Sequence, residues 1–177
     1  MIYRIKQFIW AFQSFFKRID YKYVKRYLNE GEFEVFDKLS KVDKVHSIRV
    51  SKENLKLLNE LKNRSVSDNL NLNLNKIELA KVGLLHDIGK IQNPINIVEK
   101  SVLVCLDKIT NGKLKKYDKV KKIDTYYNHP KKAINILKDF NYSSEFLEAV
   151  EKHHCYKERY IKNNKILYIL IISDSKN

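Results

Sequence analysis

Apolar residues along this chain recur at three- and four-residue steps, the spacing that lines one face of an α-helix. Strict alternation is confined to Asn69 to Asn75, where leucine is interleaved with asparagine, a poor strand former, and that stretch reads as a loop. The pattern predicts an all-α fold, a compact bundle of about eight or nine helices, without an internal repeat or a clear interdomain linker. Residues 1–40 are expected to form N-terminal helices packed on a core of residues 41–177, one domain overall.

Several helix ends can be placed. Asn75 followed by Glu78 has the form of a capping box opening a helix through Leu84. Gly89 offers that helix its C-terminal stop. Pro130 suits a first helical position, where its missing N–H costs nothing, and holds His129 extended before it. Ser144, followed by Glu145 and Glu148, starts the helix that carries His153. Thr110 to Lys122 reads as a lysine-rich connector of loop or short helix. The apolar run Ile166 to Ile172 has no partner strand elsewhere and is assigned to a helix.

Composition narrows the class. At 177 residues the chain can bury a core without disulfides or a structural metal. Cys105 and Cys155 lack framework spacing, which fits a reducing compartment, and a cytoplasmic location is expected. The formal net charge of +14 suits an anionic, phosphorylated substrate, although lysine, asparagine and isoleucine are abundant throughout. The lysines are scattered rather than interleaved with aromatics, so specific nucleic-acid binding is not expected. Met1 to Ile19 is aromatic and apolar, but its uncharged part, Gln7 to Phe16, is too short to span a bilayer. It reads as a first helix packed on the domain, with peripheral membrane contact through residues 1–19 as the alternative.

The chemistry lies in the histidines. All five, with two aspartates, stand where ligands of a buried ion cluster would be: His46, His86-Asp87, His129, His153-His154 and Asp174. Imidazole and carboxylate together suit iron, manganese, zinc or magnesium, and their wide spacing calls for a folded site. Singly, each has an ordinary explanation: a satisfied core histidine, a surface His-Asp pair, an aspartate in a frayed tail. The adjacent imidazoles His153 and His154 weaken that explanation, because burying both requires two sets of partners. His153 continues the stripe of Phe146 and Val150, so it faces inward. Asp87 shares a stripe with Ala80 and Gly83, whose small size admits a second backbone or a compact ion cluster. His46 lies midway between Val42 and Val50, on the flank of an apolar face. Arg49 and Lys90 are candidates for holding phosphate, Lys90 because it directly follows Gly89. A Cys155 thiolate ligand competes with the simpler reading of a half-buried free thiol.

Taken in order, His46, His86-Asp87, His129, His153 and Asp174 resemble the HD superfamily of metal-dependent phosphohydrolases. The string His86-Asp87-Ile88-Gly89-Lys90 is close to that family's HDIG-type signature and is preceded by Leu84-Leu85. The segment His46 to Val50 looks like the family's first ligand helix. The resemblance implies an all-helical fold around one or two divalent ions. His46, His86, Asp87 and Asp174 would surround one ion, and Asp87 would bridge to a second held by His129, His153 and His154. In that family metal-bound water attacks phosphorus, with Asp87 and Lys90 as the catalytic candidates and Lys90 and Arg49 as substrate contacts here. His129-Pro130 and His153-His154 look like the branch that cleaves cyclic dinucleotides, although Cys155-Tyr156-Lys157-Glu158 replaces that branch's Gly-Tyr-Pro motif. The ligand set is also similar to small enzymes that split dinucleoside tetraphosphates. The expected function is hydrolysis of a phosphate ester or anhydride of a small, nucleotide-like substrate. The alternative is a non-catalytic nucleotide-binding or membrane-associated regulatory module.

Overall fold

A computed structural model of the chain describes residues 16–68 and 74–177. Among them are nine α-helices and no strand: α1 (Tyr21–Tyr27), α2 (Glu30–Asp37), α3 (Lys41–Asp68), α4 (Lys76–Leu85), α5 (Ile97–Ile109), α6 (Lys121–Leu137), α7 (Ser144–Lys152), α8 (Glu158–Asn163) and α9 (Lys165–Lys176). Two 3-10 turns, Ile88–Gln92 and Lys113–Tyr117, follow α4 and α5. The apolar run at 166–172 is therefore helical. The predicted loop at Asn69 to Asn75 falls largely, and the aromatic helix at Met1 to Ile19 mostly, outside the described residues.

The 28-residue α3 is the spine. Helix α4 lies against it at Gly83, where a Cβ would come within 2.5 Å of the Ser51 Cα and 2.8 Å of the Asn54 amide nitrogen. Two cross-helix hydrogen bonds lock the contact: the Ser51 hydroxyl donates to the Ala80 carbonyl (2.8 Å) and the Asn54 amide to the Leu79 carbonyl (3.0 Å). The small residue at position 83 thus admits a second backbone rather than an ion. Leu58, Leu79, Leu84, Leu85, Ile88, Phe146, Leu167 and Leu170 fill one main core between α3, α4, α7 and α9. Val24, Leu28 and Phe36 bring α1 and α2 onto the same core. A separate small cluster, Leu103, Leu114 and Ile123, joins α5 and the second 3-10 turn to α6.

Helix starts follow the capping residues. Asn75 caps α4 through the Ile77 N–H, but no box closes, because Glu78 accepts instead from the Ser143 hydroxyl. Ser143, one residue before the expected start, caps α7 through the Phe146 N–H. Two expectations are overturned. Gly89 does not end α4 in a left-handed turn. That helix ends at Leu85, and Gly89 lies in the 3-10 turn, where a Cβ would sit 2.0 Å from the His129 carbonyl oxygen. Its absent side chain lets the turn press on α6. Pro130 does not begin a helix but lies inside α6, so His129 is helical rather than extended. An interior proline leaves the carbonyl four residues back, Tyr126, without its N–H partner, and the His129 imidazole takes it up.

Gly83→Ala should cost about 3 kcal/mol of unfolding free energy, since the methyl would press on the α3 backbone. Urea denaturation checks this, and a loss below about 0.5 kcal/mol would show that the two helices separate easily.

Candidate metal centre

Five helices deliver the seven residues. His46 comes from α3 and His129 from α6, while His86 and His153 are the C-cap residues of α4 and α7. Asp87 follows His86 at the head of the 3-10 turn, His154 follows His153, and Asp174 lies on α9. All seven converge. The ligating atoms of His46, His86 and Asp174 lie within 4.8 Å of one another, as do those of His129, His153 and His154.

Three of the imidazoles are anchored in the same way. The last carbonyls of a helix lack intrahelical partners, and His86 turns its Nδ1 back to the Gly83 carbonyl at 2.9 Å. His153 does the same to the Val150 carbonyl at 2.6 Å. His129 Nδ1 faces the carbonyls of Thr125 (3.1 Å) and Tyr126 (3.2 Å), the latter freed by Pro130. A carbonyl oxygen only accepts, so each Nδ1 carries the proton and each Nε2 presents a lone pair inward.

Asp87 lies between the two sets, its side chain 2% exposed. Its Oδ2 is 3.4 Å from His86 Nε2 and 3.7 Å from His46 Nε2. Its Oδ1 is 3.3 Å from His129 Nε2 and 3.9 Å from His153 Nε2. Asp174 Oδ1 is 3.1 Å from His46 Nε2 and 3.9 Å from His86 Nε2. His129 and His154 approach with their Nε2 atoms 3.1 Å apart.

These atoms fit divalent ions. His86 Nε2, His153 Nε2 and Asp87 Oδ1 are buried and have no hydrogen-bond partner, a costly state for lone pairs unless something positive lies between them. Ligands bonded at about 2.1 Å to one ion sit roughly 3.0–3.4 Å from each other. The separations here are of that order. Cys155 is a free, half-buried thiol outside the converging groups found among the described residues.

The electrostatics agree. Burial lowers the basicity of His86 and His129, and burial together with the neighbouring His86 pushes His153 down to about 4. His154, exposed at the edge of the centre, is also depressed, by partial desolvation and by the neighbouring His153 and His129. For Asp87 burial opposes ionisation, but Lys90, His86 and His129 outweigh it and hold the carboxyl well below its usual range. Asp174 is also depressed, burial being overcome by His46. The Lys90 ammonium is 2.5 Å from Asp87 Oδ2 and 3.7 Å from Asp43 Oδ1. Burial works against its charge, yet those carboxylates raise its pKa.

A cavity of about 380 Å³ opens over the centre. Asp87, Lys90, His129, His154 and Asp174 face it from the floor, while Ile95, Lys100, Val104, Tyr126, Tyr127 and Tyr156 form the sides and roof. Arg49 is half-buried on α3 and does not line it. Two charged residues there escaped the sequence reading. Asp43 precedes His46 by one helical turn, a spacing that could have flagged it. Lys100 sits on α5, and nothing in its neighbours announces that this helix covers the opening. Its side chain is solvent-exposed, and the Lys90 ammonium lowers its pKa, with Asp87, Asp43 and Asp174 opposing.

Residues 45–175 match the family model for the HD domain. The chain belongs to the HD-domain family. Membership places it in the metal-dependent phosphohydrolase superfamily, whose domains bind divalent metals, in keeping with the converging imidazoles and carboxylates. No curated protein and no solved structure matches the chain. No described helix is long and apolar enough to cross a membrane.

Two outcomes are expected. Protein stripped with chelator and titrated with Mn²⁺, Fe²⁺ or Zn²⁺ should take up about two ions per chain and gain roughly 5–10 °C in Tm. Asp87→Asn should lose most of that gain, and an unchanged gain would remove Asp87 from the ion sites. In the stripped protein the buried histidines have folded pKa values below their unfolded value of about 6.5. Between those values the unfolded chain binds more protons, so stability is full above about pH 6.5 and declines below it, continuing toward the His153 value of about 4. A thermal-unfolding series across that window tests the sign.

Proposed function

We propose that this HD-domain protein hydrolyses a phosphate ester or anhydride of a small, nucleotide-like substrate with two divalent ions. One observation carries the reading: the two oxygens of the buried Asp87 carboxylate face two different histidine sets. A purely structural carboxylate needs hydrogen-bond donors, whereas Asp87 Oδ1 has none. A carboxylate shared by two ion sites needs one oxygen for each.

His46, His86, Asp174 and Asp87 Oδ2 would hold one ion, and His129, His153, His154 and Asp87 Oδ1 the other. Bound divalent ions supply Lewis acidity, which lowers the pKa of water to near neutral and offsets charge on phosphate oxygens. The chain's own residues do the rest. The anchored Nδ1–H groups keep the imidazoles in one tautomer, so the inward face stays preorganised. Lys90 keeps Asp87 ionised and presents an ammonium at the cavity floor. Lys100 brings a second positive charge from the roof, and the repulsion between the two lysines is relieved when an anion lies between them. Arg49, outside the lining, has no part in this proposal.

The substrate is limited by the walls. Ile95, Val104, Tyr126 and Tyr127 offer apolar and aromatic surface opposite the charged floor, suited to a ring-bearing group attached to the phosphate. A cavity of about 380 Å³ is at the lower end for small-molecule sites, which favours one nucleotide unit over two. A non-catalytic nucleotide-binding module could use the same walls, but it would have no need of two opposed imidazole sets around one carboxylate.

Phosphate release from a panel of mono- and dinucleotides, with added Mn²⁺ or Fe²⁺, decides between these. Turnover should require metal and fall by at least about 100-fold in Asp87→Ala. Equal turnover in both proteins, or binding without any turnover, would reject the enzyme. Lys100→Ala should raise KM by about tenfold with a smaller effect on kcat, because a roof lysine contacts substrate before and during reaction alike. An unchanged KM would take Lys100 out of substrate binding.

A further inference from the structure

The segment that roofs the cavity has a second face, open to solvent. At 100° per residue, Val98, Val102, Cys105, Leu106 and Ile109 fall within roughly 100° of arc on α5, opposite Lys100, Leu103 and Val104. The inner set lines the cavity or fills the small cluster. The outer set does not: Val98 and Ile109 are each 71% exposed, and Val102 and Leu106 at least 40%. The following turn, packed on α5 and α6, adds exposed Tyr117 and, just beyond it, exposed Val120.

Lysines border this ridge. Lys108, Lys113, Lys115, Lys116, Lys119 and Lys121 are all exposed. The acids of the same stretch offset little of that charge. Glu99 is paired with Lys122, which leaves Asp107, an acceptor from the Tyr127 hydroxyl, and Asp118 against six lysines. Scattered exposed valines need no explanation, but a continuous ridge fringed by an excess of positive charge does. Nucleic acid would use the lysines and leave the ridge wet. An acidic lipid surface uses both, since the ridge can enter the boundary between headgroups and acyl chains while the lysines stay among the headgroups.

We propose that the outer face of residues 98–121 docks on an anionic lipid bilayer. Because Lys100 and Val104 are on the same helix, docking holds in place the element that covers the candidate metal centre.

The test is co-sedimentation of the full chain with vesicles of phosphatidylcholine alone and of phosphatidylcholine mixed with phosphatidylserine. The protein should pellet with the mixed vesicles only, less so as salt is added. The pair Lys115→Glu and Lys116→Glu should weaken partitioning by at least about tenfold. The pair Val102→Ser and Leu106→Ser should do so by about tenfold. All four side chains are exposed, and unchanged thermal unfolding confirms that each variant folds. Failure of the unaltered chain to pellet with mixed vesicles overturns the proposal, whether it then proves to bind duplex DNA or to dimerise through Val102 and Leu106. Binding that survives both pairs also overturns it and assigns the contact to another surface, such as residues 1–19.

Discussion

Three buried imidazoles are held from behind by carbonyls of their own helices, and the candidate centre depends on that restraint. A neutral histidine has one N–H to give. When Nδ1 spends it on the chain three or four residues back, Nε2 must point a lone pair the other way. His86, His129 and His153 all do this, and all three Nε2 atoms point at Asp87. The result is a buried group of lone pairs with an ionised carboxylate among them, which is poorly matched to itself and well matched to cations. Buried charge and buried acceptors of this kind are costly unless paired. Lys90 meets part of that demand, being the one ammonium in direct contact with Asp87 among the described residues.

The fold supplies the restraint at little cost. A helix C-terminus leaves carbonyls without partners, so an imidazole at the C-cap satisfies one while gaining a fixed orientation. Both α4 and α7 end this way, at His86 and His153. In mid-helix no such carbonyl exists, and at His129 Pro130 creates one by lacking the N–H that Tyr126 would otherwise receive. Two glycines then set the distances. Gly83 lets α4 approach the backbone of α3, which carries His46, and Gly89 lets the turn bearing Asp87 press on α6 beside His129. A methyl at either place would push a ligand-bearing element outward, and an ion site tolerates only fractions of an ångström.

Much of this was legible from the residues. Helical periodicity gave the all-α architecture, and the scarcity of histidine made the convergence of all five with Asp87 and Asp174 readable before any fold was known. The roles of Gly89 and Pro130 were not. Each has a common local meaning, helix stop and helix start, and in each the tertiary contact overrode it: a backbone only 2.0 Å from where a Cβ would be, and a side chain that replaces a lost hydrogen bond. Lys100 was illegible for a different reason. A residue's own spacing reports the face of the helix it occupies, but not what that face meets, and α5 has one apolar stripe toward solvent as well as one toward α6. Periodicity alone cannot say which of the two is inside.

The centre and its cover are held by unequal means. The main core draws on α1 to α4, α6, α7 and α9, and the ligand-bearing helices are packed into it. The roof's buried apolar hold is Leu103, Leu114 and Ile123, worth on the order of 6 kcal/mol before any loss of chain entropy, with the partly exposed Glu99–Lys122 and Tyr127–Asp107 links beside it. A segment so attached belongs to the low-stability end of a structure, where ligand-covering elements are found. That inequality suits the hydrolysis proposed above. In the proposed reaction the floor keeps its lone pairs aligned with or without substrate, while the weakly held roof carries Lys100 over the cavity. Anything that stiffens the roof, a bound anion between Lys90 and Lys100 or a surface against its outer ridge, would also order the walls of the cavity without altering the floor.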